Sequence, residues 1–332
     1  MKEKYLFELG GENTELGKYE ALELLKTEKY SPKLIFDNGN IIAIEVSKDI
    51  KKRIAQRFAM TRRISRIVCY YKEQNLEDIL NNISEIEIGS KSFAIRVIDN
   101  ISSEKEIAKK LGEKISPKNK IDLDKPDVKI LYYSNVRSIV SIWHLDNETY
   151  YNKCLEHHVK YRPFFSPISI HPRIARSMVN LANCSLKNKI VDPFCGTGGI
   201  LIEVSSMKMG AIGIDILDKM VDYSNGNLKH YNLEAKVRKG DVEEIQNCDF
   251  NAIVTDPPYG ISTTTKGEGV DELMNRSMIL FAQSLKPKQR LVMAVSKPEL
   301  VKNEKFKIVN QFEWYIHKSL TRYILVMERI NT

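Results

Sequence analysis

Two carboxylates, each followed by a distinctive turn, are the groups in this sequence best suited to chemistry. The first lies in Lys189-Ile-Val-Asp192-Pro193-Phe194-Cys195-Gly196-Thr197-Gly198-Gly199-Ile-Leu-Ile-Glu203, a short apolar strand, a glycine-dense turn and an apolar helix. At the carboxyl end of a central strand, such a turn brings backbone N–H groups and a helix N-terminus close to a ligand. The order Asp-x-x-x-Gly-x-Gly-Gly is not the Gly-x-Gly-x-x-Gly of a pyrophosphate binder. Asp192 suits a cofactor that carries an ammonium and a sulfonium, which points to S-adenosylmethionine. Asp215 ends the next apolar run, Gly210-Ala-Ile-Gly-Ile-Asp215, about 20 residues on, where an acid followed by Ile216 would accept from ribose hydroxyls. Asp241, followed by Val242, ends a third unit and could meet an adenine amino group.

The second carboxylate opens Asp256-Pro257-Pro258-Tyr259-Gly260 after the apolar run Ala252–Thr255. An exocyclic base amine is a poor nucleophile because its lone pair is delocalised into the ring. A carboxylate and a backbone carbonyl accepting its two N–H bonds would favour a pyramidal nitrogen and stabilise the positive charge that grows there. Pro257 and Pro258 offer carbonyls without N–H groups and stiffen the turn. Tyr259 provides a face on which an extruded base can stack. Asp256, Pro257 and Tyr259 are therefore the candidate catalytic residues.

These turns need strands to hold them. In the second half, apolar runs at 190–192, 211–215, 235–238, 252–256 and 290–295 alternate with helical stretches, and runs at 312–315 and 321–327 close the chain. The alternation predicts a doubly wound parallel sheet with a reversed strand at its edge, seven strands in all. Before it, His171-Pro172-Arg-Ile-Ala-Arg-Ser-Met-Val-Asn-Leu-Ala182 reads as a helix with proline in its first turn. The loop leading to it would sit near the cofactor's methionine end, where His171 is either a ligand contact or a cap.

The first half reads as α+β: strands at 5–9, 33–36, 41–45, 66–71, 92–98, 128–133 and 137–143, and helices at 16–26, 76–83 and 102–111 with Gly112 as a stop. Lys48–Arg66 carries eight Lys/Arg against Asp49 alone, and Ile50, Ile54, Ala55 and Phe58 share a face if the stretch is helical. Such a run is either a solvated face or a surface that follows a phosphate backbone.

With 332 residues, 42% of them hydrophobic and 28% charged, and a net charge of +8, the chain is globular and large enough for two or three domains. No stretch has the apolar length of a membrane span, and the start lacks the pattern of a secretory signal, so a cytoplasmic location is expected. Five dispersed cysteines without a CxxC pair argue against a disulfide framework. Cys154-Leu-Glu-His157-His158 lacks a second ligand pair, so no metal is expected.

Taken together, the second half resembles the Rossmann-fold amino-methyltransferases. The whole chain is similar to the archaeal THUMP-containing tRNA guanosine N2-methyltransferases that modify nucleotide 10. The likeness is carried by HPRIARSMVNLA, DPFCGTGGILIE, DPPYG and His317-Lys-Ser-Leu-Thr-Arg322. In the first half it rests on Ser92-Phe-Ala-Ile-Arg96-Val, Ile107-Ala-Lys-Lys-Leu-Gly112 and Ile121-Asp-Leu-Asp-Lys-Pro126-Asp-Val. It implies a ferredoxin-like domain over 1–55, a THUMP domain over 56–145, a linker over 146–165 and a methyltransferase domain over 166–332. It also implies that the N-terminal half grips tRNA while the catalytic half takes a flipped guanine. Lys51, Arg62, Arg63, Arg96, Lys318 and Arg322 are the candidate RNA contacts, in a monomer with no evident partner protein.

Three rivals stand beside this reading. They are a sibling enzyme acting on an acceptor-stem guanosine, an N6-adenine DNA methyltransferase sharing the Asp-Pro-Pro-Tyr logic, and an RNA-binding module with a dead methyltransferase fold. Asp rather than Asn at 256 leans away from the first, the N-terminal half from the second, and the intact Asp192, glycine turn and Asp256 from the third.

Overall fold

The computed structural model describes residues 2–11, 13–71, 76–83, 86, 88–98, 104–134, 138–144, 148–166, 169–258, 269–317 and 320–331. The chain forms two compact units, and it passes between them more than once. The first contains residues 1–14, 29–56 and 61–150, and the second contains 15–28, 57–60 and 151–332.

The first unit is built on β1 (Glu3–Leu9), β2 (Lys33–Asp37), β3 (Ile41–Val46), β4 (Thr61–Tyr71), β5 (Phe93–Val97), β6 (Val128–Tyr133) and β7 (Ser138–His144). They form one sheet in the order β2-β3-β1-β4-β7-β6-β5, antiparallel except for β5 on β6. The strands of residues 1–55 and those of 56–145, expected as two modules, therefore share a sheet, joined where β4 pairs with β1. Alternating residues of β5, β6 and β7 (Phe93, Ile95, Val128, Ile130, Val140) face a core completed by Ile79, Ile107, Leu111 and Ile115. Those four come from α3 (Leu76–Asn82) and α4 (Glu104–Ile115).

Two expectations fail here. The basic stretch is not one helix: only α2 (Lys52–Ala55) forms, and the chain is already extended at Thr61. The backbone N–H groups of Ala59 and Met60 donate to the buried Glu20 carboxylate (3.0 and 2.8 Å) instead of continuing a helical ladder. Gly112 does not end its helix either; α4 runs through it, and the bare Cα lies against Ile95 and Phe93.

The second unit holds β8 (Lys189–Asp192), β9 (Gly210–Asp215), β10 (Lys236–Lys239), β11 (Ala252–Thr255), β12 (Arg290–Val295), β13 (Phe306–His317) and β14 (Leu320–Arg329). Its helices are α1 (Thr14–Thr27), α5 (Tyr150–Lys153), α6 (Pro172–Leu181), α7 (Gly199–Ser206), α8 (Asp218–His230) and α9 (Val270–Ser284). The sheet order is β10-β9-β8-β11-β12-β14-β13. The first five of these are parallel, β14 runs antiparallel to β12, and β13, antiparallel to β14, runs with the parallel set, so the seven-stranded sheet is the mixed, doubly wound one expected. β14 inserts between β12 and the edge strand β13.

Alternation along the central strands feeds two core layers. Ile190, Ala252, Val254, Val292, Ala294, Ile324 and Val326 face one layer with Leu16 of α1, Met178 of α6, Leu201 of α7 and Leu228 of α8. Val191, Ile253, Leu291, Met293, Leu325 and Met327 face the other, with Leu273, Met278 and Phe281 of α9. Strands buried on both faces must be apolar throughout, and β11 and β12 are buried at every residue. Among the described residues no helix is long and apolar enough to cross a membrane.

Helix α1 was read from the sequence as part of the N-terminal half, yet it packs within the second unit. Its Glu23 accepts from Arg290 (2.6 Å), and its Glu20 accepts from Asn180 (2.8 Å).

Candidate active site

Chain order reverses between β8 and β11, so a crevice opens outside their carboxyl ends, the usual ligand site of an open α/β sheet. A cavity of about 430 Å³ occupies it, with Asp192, Asp215, Asp241 and Asp256 all in its wall. Four neighbouring strand ends thus place four carboxylates around one space.

The glycine turn between β8 and α7 forms the floor. Gly196 and Gly198 adopt positive φ (50° and 81°). A Cβ on Gly198 would come within 2.5 Å of Ser224 Oγ, so this close approach to α8 requires glycine. The resulting turn lets Gly196 N–H donate to Asp215 Oδ2 (2.9 Å), while Leu217 N–H donates to Oδ1 (3.0 Å). Asp192 accepts from Thr255 Oγ1 (2.7 Å) and from Phe194 N–H (3.1 Å), which ties the end of β8 to that of β11.

Burial pushes the Asp192 carboxyl up to about 7; the two hydrogen bonds oppose the rise, and the charges of Asp256 and Asp215 add to it. Asp256 is also pushed up to about 7 by burial, with Arg322 pulling the other way. Burial raises Asp215 as well. Asp241 is lowered, chiefly by hydrogen bonding from Arg276, whose Nη1 and Nη2 lie 2.5 and 3.2 Å from its two oxygens.

Most of the residues expected to hold a cofactor meet in this cavity. Asp192, Pro193, Phe194, Cys195, Gly196, Thr197 and Gly199 line it on one side. Asp215, Ile216, Asp241 and Val242 line it on the other, and Asp256 and Pro257 close the end. Tyr259, the remaining candidate catalytic residue, lies outside the described residues, as does Lys318.

Two expectations change. His171, a candidate cofactor contact or cap, caps α6 by accepting from Arg173 N–H (3.2 Å) and is not among the cavity's lining residues. Arg322, expected to face RNA, is buried beside Asp256, 3.4 Å from it. An arginine inside the sheet's rim is not available to a phosphate chain.

Other residues were not anticipated. Ser166, Ser169, Lys219, Met220 and Leu273 also line the cavity, and Arg276 grips Asp241. The serines fall in the loop expected near the cofactor, whereas nothing in the sequence connects Arg276 with a residue 35 positions away.

Of the other candidate RNA contacts, Lys51 and Arg62 are exposed. Arg63 lies over the Trp143 ring (4.6 Å) and 3.5 Å from Glu8, and Arg96 donates to the Leu123 carbonyl (3.1 Å).

The site fits S-adenosylmethionine. A cavity of this size accepts an adenosyl group with its amino-acid arm, and the carboxylates of Asp192, Asp215, Asp241 and Asp256 in its wall suit a positively charged ligand. Asp192 would hold the amino-acid end, Asp215 the ribose hydroxyls, and the Asp241–Val242 turn the adenine.

Residues 159–309 match the RMKL-like methyltransferase domain family. Among solved structures, TrmN from Thermus thermophilus is similar in fold, with a TM-score of 0.56 at 15% identity over 98% of this chain and 100% of that one. The tRNA (guanine(10)-N2)-dimethyltransferases of Methanocaldococcus jannaschii and Pyrococcus abyssi are 33% and 34% identical. Each match covers 77% of this chain, and 76% and 79% of those proteins. The enzyme of that name from Methanothermobacter thermautotrophicus is 32% identical over 97% of this chain and 98% of its own length. A match of that extent takes in both compact units as well as the carboxylate-lined crevice, and the chain belongs to the tRNA (guanine(10)-N2)-dimethyltransferase family.

Proposed function

We propose that this enzyme transfers methyl groups to the exocyclic N2 of guanosine 10 in tRNA, giving N2-methyl- and then N2,N2-dimethylguanosine. S-adenosylmethionine is the methyl donor, and it supplies an electrophilic methyl on sulfonium sulfur. The observation that carries the reading is the position of Asp256-Pro257 at the end of β11, in the wall of the same cavity as Asp192.

Asp256 accepts one guanine N2–H, and a carbonyl of the Pro257–Pro258 turn accepts the other. The nitrogen lone pair is then withdrawn from conjugation with the ring and would form the new N–C bond as the methyl–sulfur bond breaks, that bond's electron pair returning to sulfur. Positive charge develops on nitrogen beside a carboxylate in a water-poor cleft, where the attraction is stronger than in bulk. With its carboxyl pushed up to about 7, Asp256 can also take the departing N2 proton near neutral pH. Tyr259, next in the chain, provides the stacking face for the flipped base.

We further infer that the first unit, with its ferredoxin-like and THUMP-like portions, holds the tRNA, the chain crossing between it and the catalytic unit at several points, the last of them at residues 150–151. Lys51 and Arg62, both exposed, are its phosphate contacts. One chain supplies all four carboxylates of the cleft, so the proposed chemistry calls on no residue of a second subunit.

Replacement of Asp256 by Ala tests the assignment. The variant is expected to bind S-adenosylmethionine and tRNA as the parent does and to transfer no methyl. Mapping tritium from labelled cofactor onto the tRNA identifies the nucleotide and the number of methyls. Ordinary turnover by Asp256→Ala would remove the catalytic assignment, and label in the acceptor stem would favour the sibling specificity.

A further inference from the structure

Strand β14 runs against its neighbours β12 and β13, so the start of β14 lies at the end where the parallel strands finish. Tyr323 of β14 pairs with Val295, the last residue of β12, and Arg322 precedes it at the rim of the crevice. From there Arg322 Nη2 reaches to 3.4 Å from Asp256 Oδ2, with the two side chains only 5% and 15% exposed. Reversal of the final strand thus delivers a buried guanidinium to the acid at the end of β11.

We propose that Arg322 is a positioning residue for methyl transfer, holding the Asp256 carboxylate ionised and turned into the cleft so that it can accept from the guanine amine. The inference rests on the assignment of Asp256 above and adds the group that keeps that carboxylate usable.

The need for such a group follows from the surroundings. Around Asp256 the cleft presents Asp192 from β8, Asp215 from β9 and Asp241 beyond β10, with Lys219 from α8. Arg276 is already committed to Asp241. Burial favours the protonated acid and pushes Asp256 up to about 7 despite Arg322. A protonated acid would point an O–H at an amine that has two N–H bonds to donate. A cation at 3.4 Å opposes that protonation. Arginine stays charged in such a place, where a lysine would lose its proton more readily.

The test compares the full-length enzyme with Arg322→Met and Arg322→Lys in single-turnover methylation of a tRNA transcript between pH 5.5 and 9.5. The acid limb of the rate profile is expected to move up by about one unit or more in Arg322→Met, a loss of roughly fivefold or more at pH 7 that narrows by pH 9. The tRNA KM should change little, and Arg322→Lys should lie between. In an Asp256→Asn background, Arg322→Met should leave the residual profile where it was. If Arg322→Met does not fold, the displaced limb of Arg322→Lys carries the measurement. An unmoved acid limb in Arg322→Met, or in Arg322→Lys where the methionine variant does not fold, would overturn the proposal and leave Arg322 as a packing residue. If Asp256→Ala proves active, the assignment beneath it fails instead, so the two failures are distinguishable.

Discussion

Glu20 on α1 and Asn180 on α6 are 160 residues apart in sequence and 2.8 Å apart in the buried core of the catalytic unit. The same Glu20 carboxylate takes the N–H groups of Ala59 and Met60, and Asn180 Nδ2 also donates to the Arg57 carbonyl. Beside them Arg57 pairs with Glu28 at 2.7 Å. A hydrogen-bonded knot of this kind pins α1 and the 57–60 segment to the Rossmann-like fold.

Glu20→Ala is therefore expected to cost stability, because it strands two backbone donors and an amide in a dry site. Each buried donor left unsatisfied costs about 1–3 kcal/mol, so a loss of roughly 3 kcal/mol is anticipated. Urea denaturation of the full chain measures it. For the same reason residues 151–332 expressed alone, without Leu16 and Tyr19 to cover the core, should be poorly soluble. An unchanged midpoint in Glu20→Ala would show that α1 is held by its apolar face alone.

A second prediction concerns pH. Asp192 is pushed up to about 7 from an ordinary carboxylate value near 4, mainly by burial. A raised acid keeps a proton in the folded state that the unfolded chain has already released, so stability falls as pH rises from about 4 to 7. Asp192→Asn should flatten that decline in denaturation midpoints. The cofactor's positive groups favour the ionised form, so S-adenosylmethionine should bind more tightly at pH 8 than at pH 6 and release protons on binding. Titration calorimetry in buffers of differing ionisation heat reads this. Equal heats in all buffers would mean that Asp192 is already ionised in the free enzyme.

How much of this could be read from the sequence depends on the range of the interaction. The ends of β8, β9 and β11 were legible to within about a residue, because each apolar run stops at or beside an acid that the cleft uses. β12 matched its apolar run over Arg290–Val295. β13 was read as four residues but spans Phe306–His317, since at the sheet's edge Ile308 and Tyr315 stay exposed and the apolar pattern is diluted. The basic stretch was misread for a different reason: its local periodicity is helical, but Glu20 captures the N–H groups that would have extended the helix. Pairings such as Asp256 with Arg322, or Asp241 with Arg276, leave no local trace. They exist because strand order and helix packing bring distant segments to one rim.

The turn between β8 and α7 makes a sharper prediction. Gly198 sits at φ 81° with Ser224 Oγ where a Cβ would need to be. Gly198→Ala incurs about 1–2 kcal/mol from the left-handed backbone alone, plus the clash, and it should weaken cofactor binding along with stability. Adding Ser224→Gly removes the clash but not the backbone strain, so it should restore part of the loss. Complete restoration would show that contact, not conformation, sets the requirement for glycine.

The last prediction separates the basic side chains of the first unit. Lys51 and Arg62 are exposed, while Arg63 is held over Trp143 and beside Glu8, and Arg96 is bonded to the Leu123 carbonyl. A phosphate contact contributes about 0.7–0.9 to the slope of log affinity against log salt. Neutralising Lys51 and Arg62 together should then lower the slope for tRNA by about 1–2 and weaken binding, with the single-turnover rate on saturating tRNA unchanged. Arg63→Ala should move the slope less, because Trp143 and Glu8 already engage its charge, and should instead lower the stability of the first unit. A filter-binding series from 50 to about 300 mM salt distinguishes the two. If Arg63→Ala shifts the slope as much as the pair does, the Trp143 contact must open when tRNA arrives, and the guanidinium then belongs to the RNA surface.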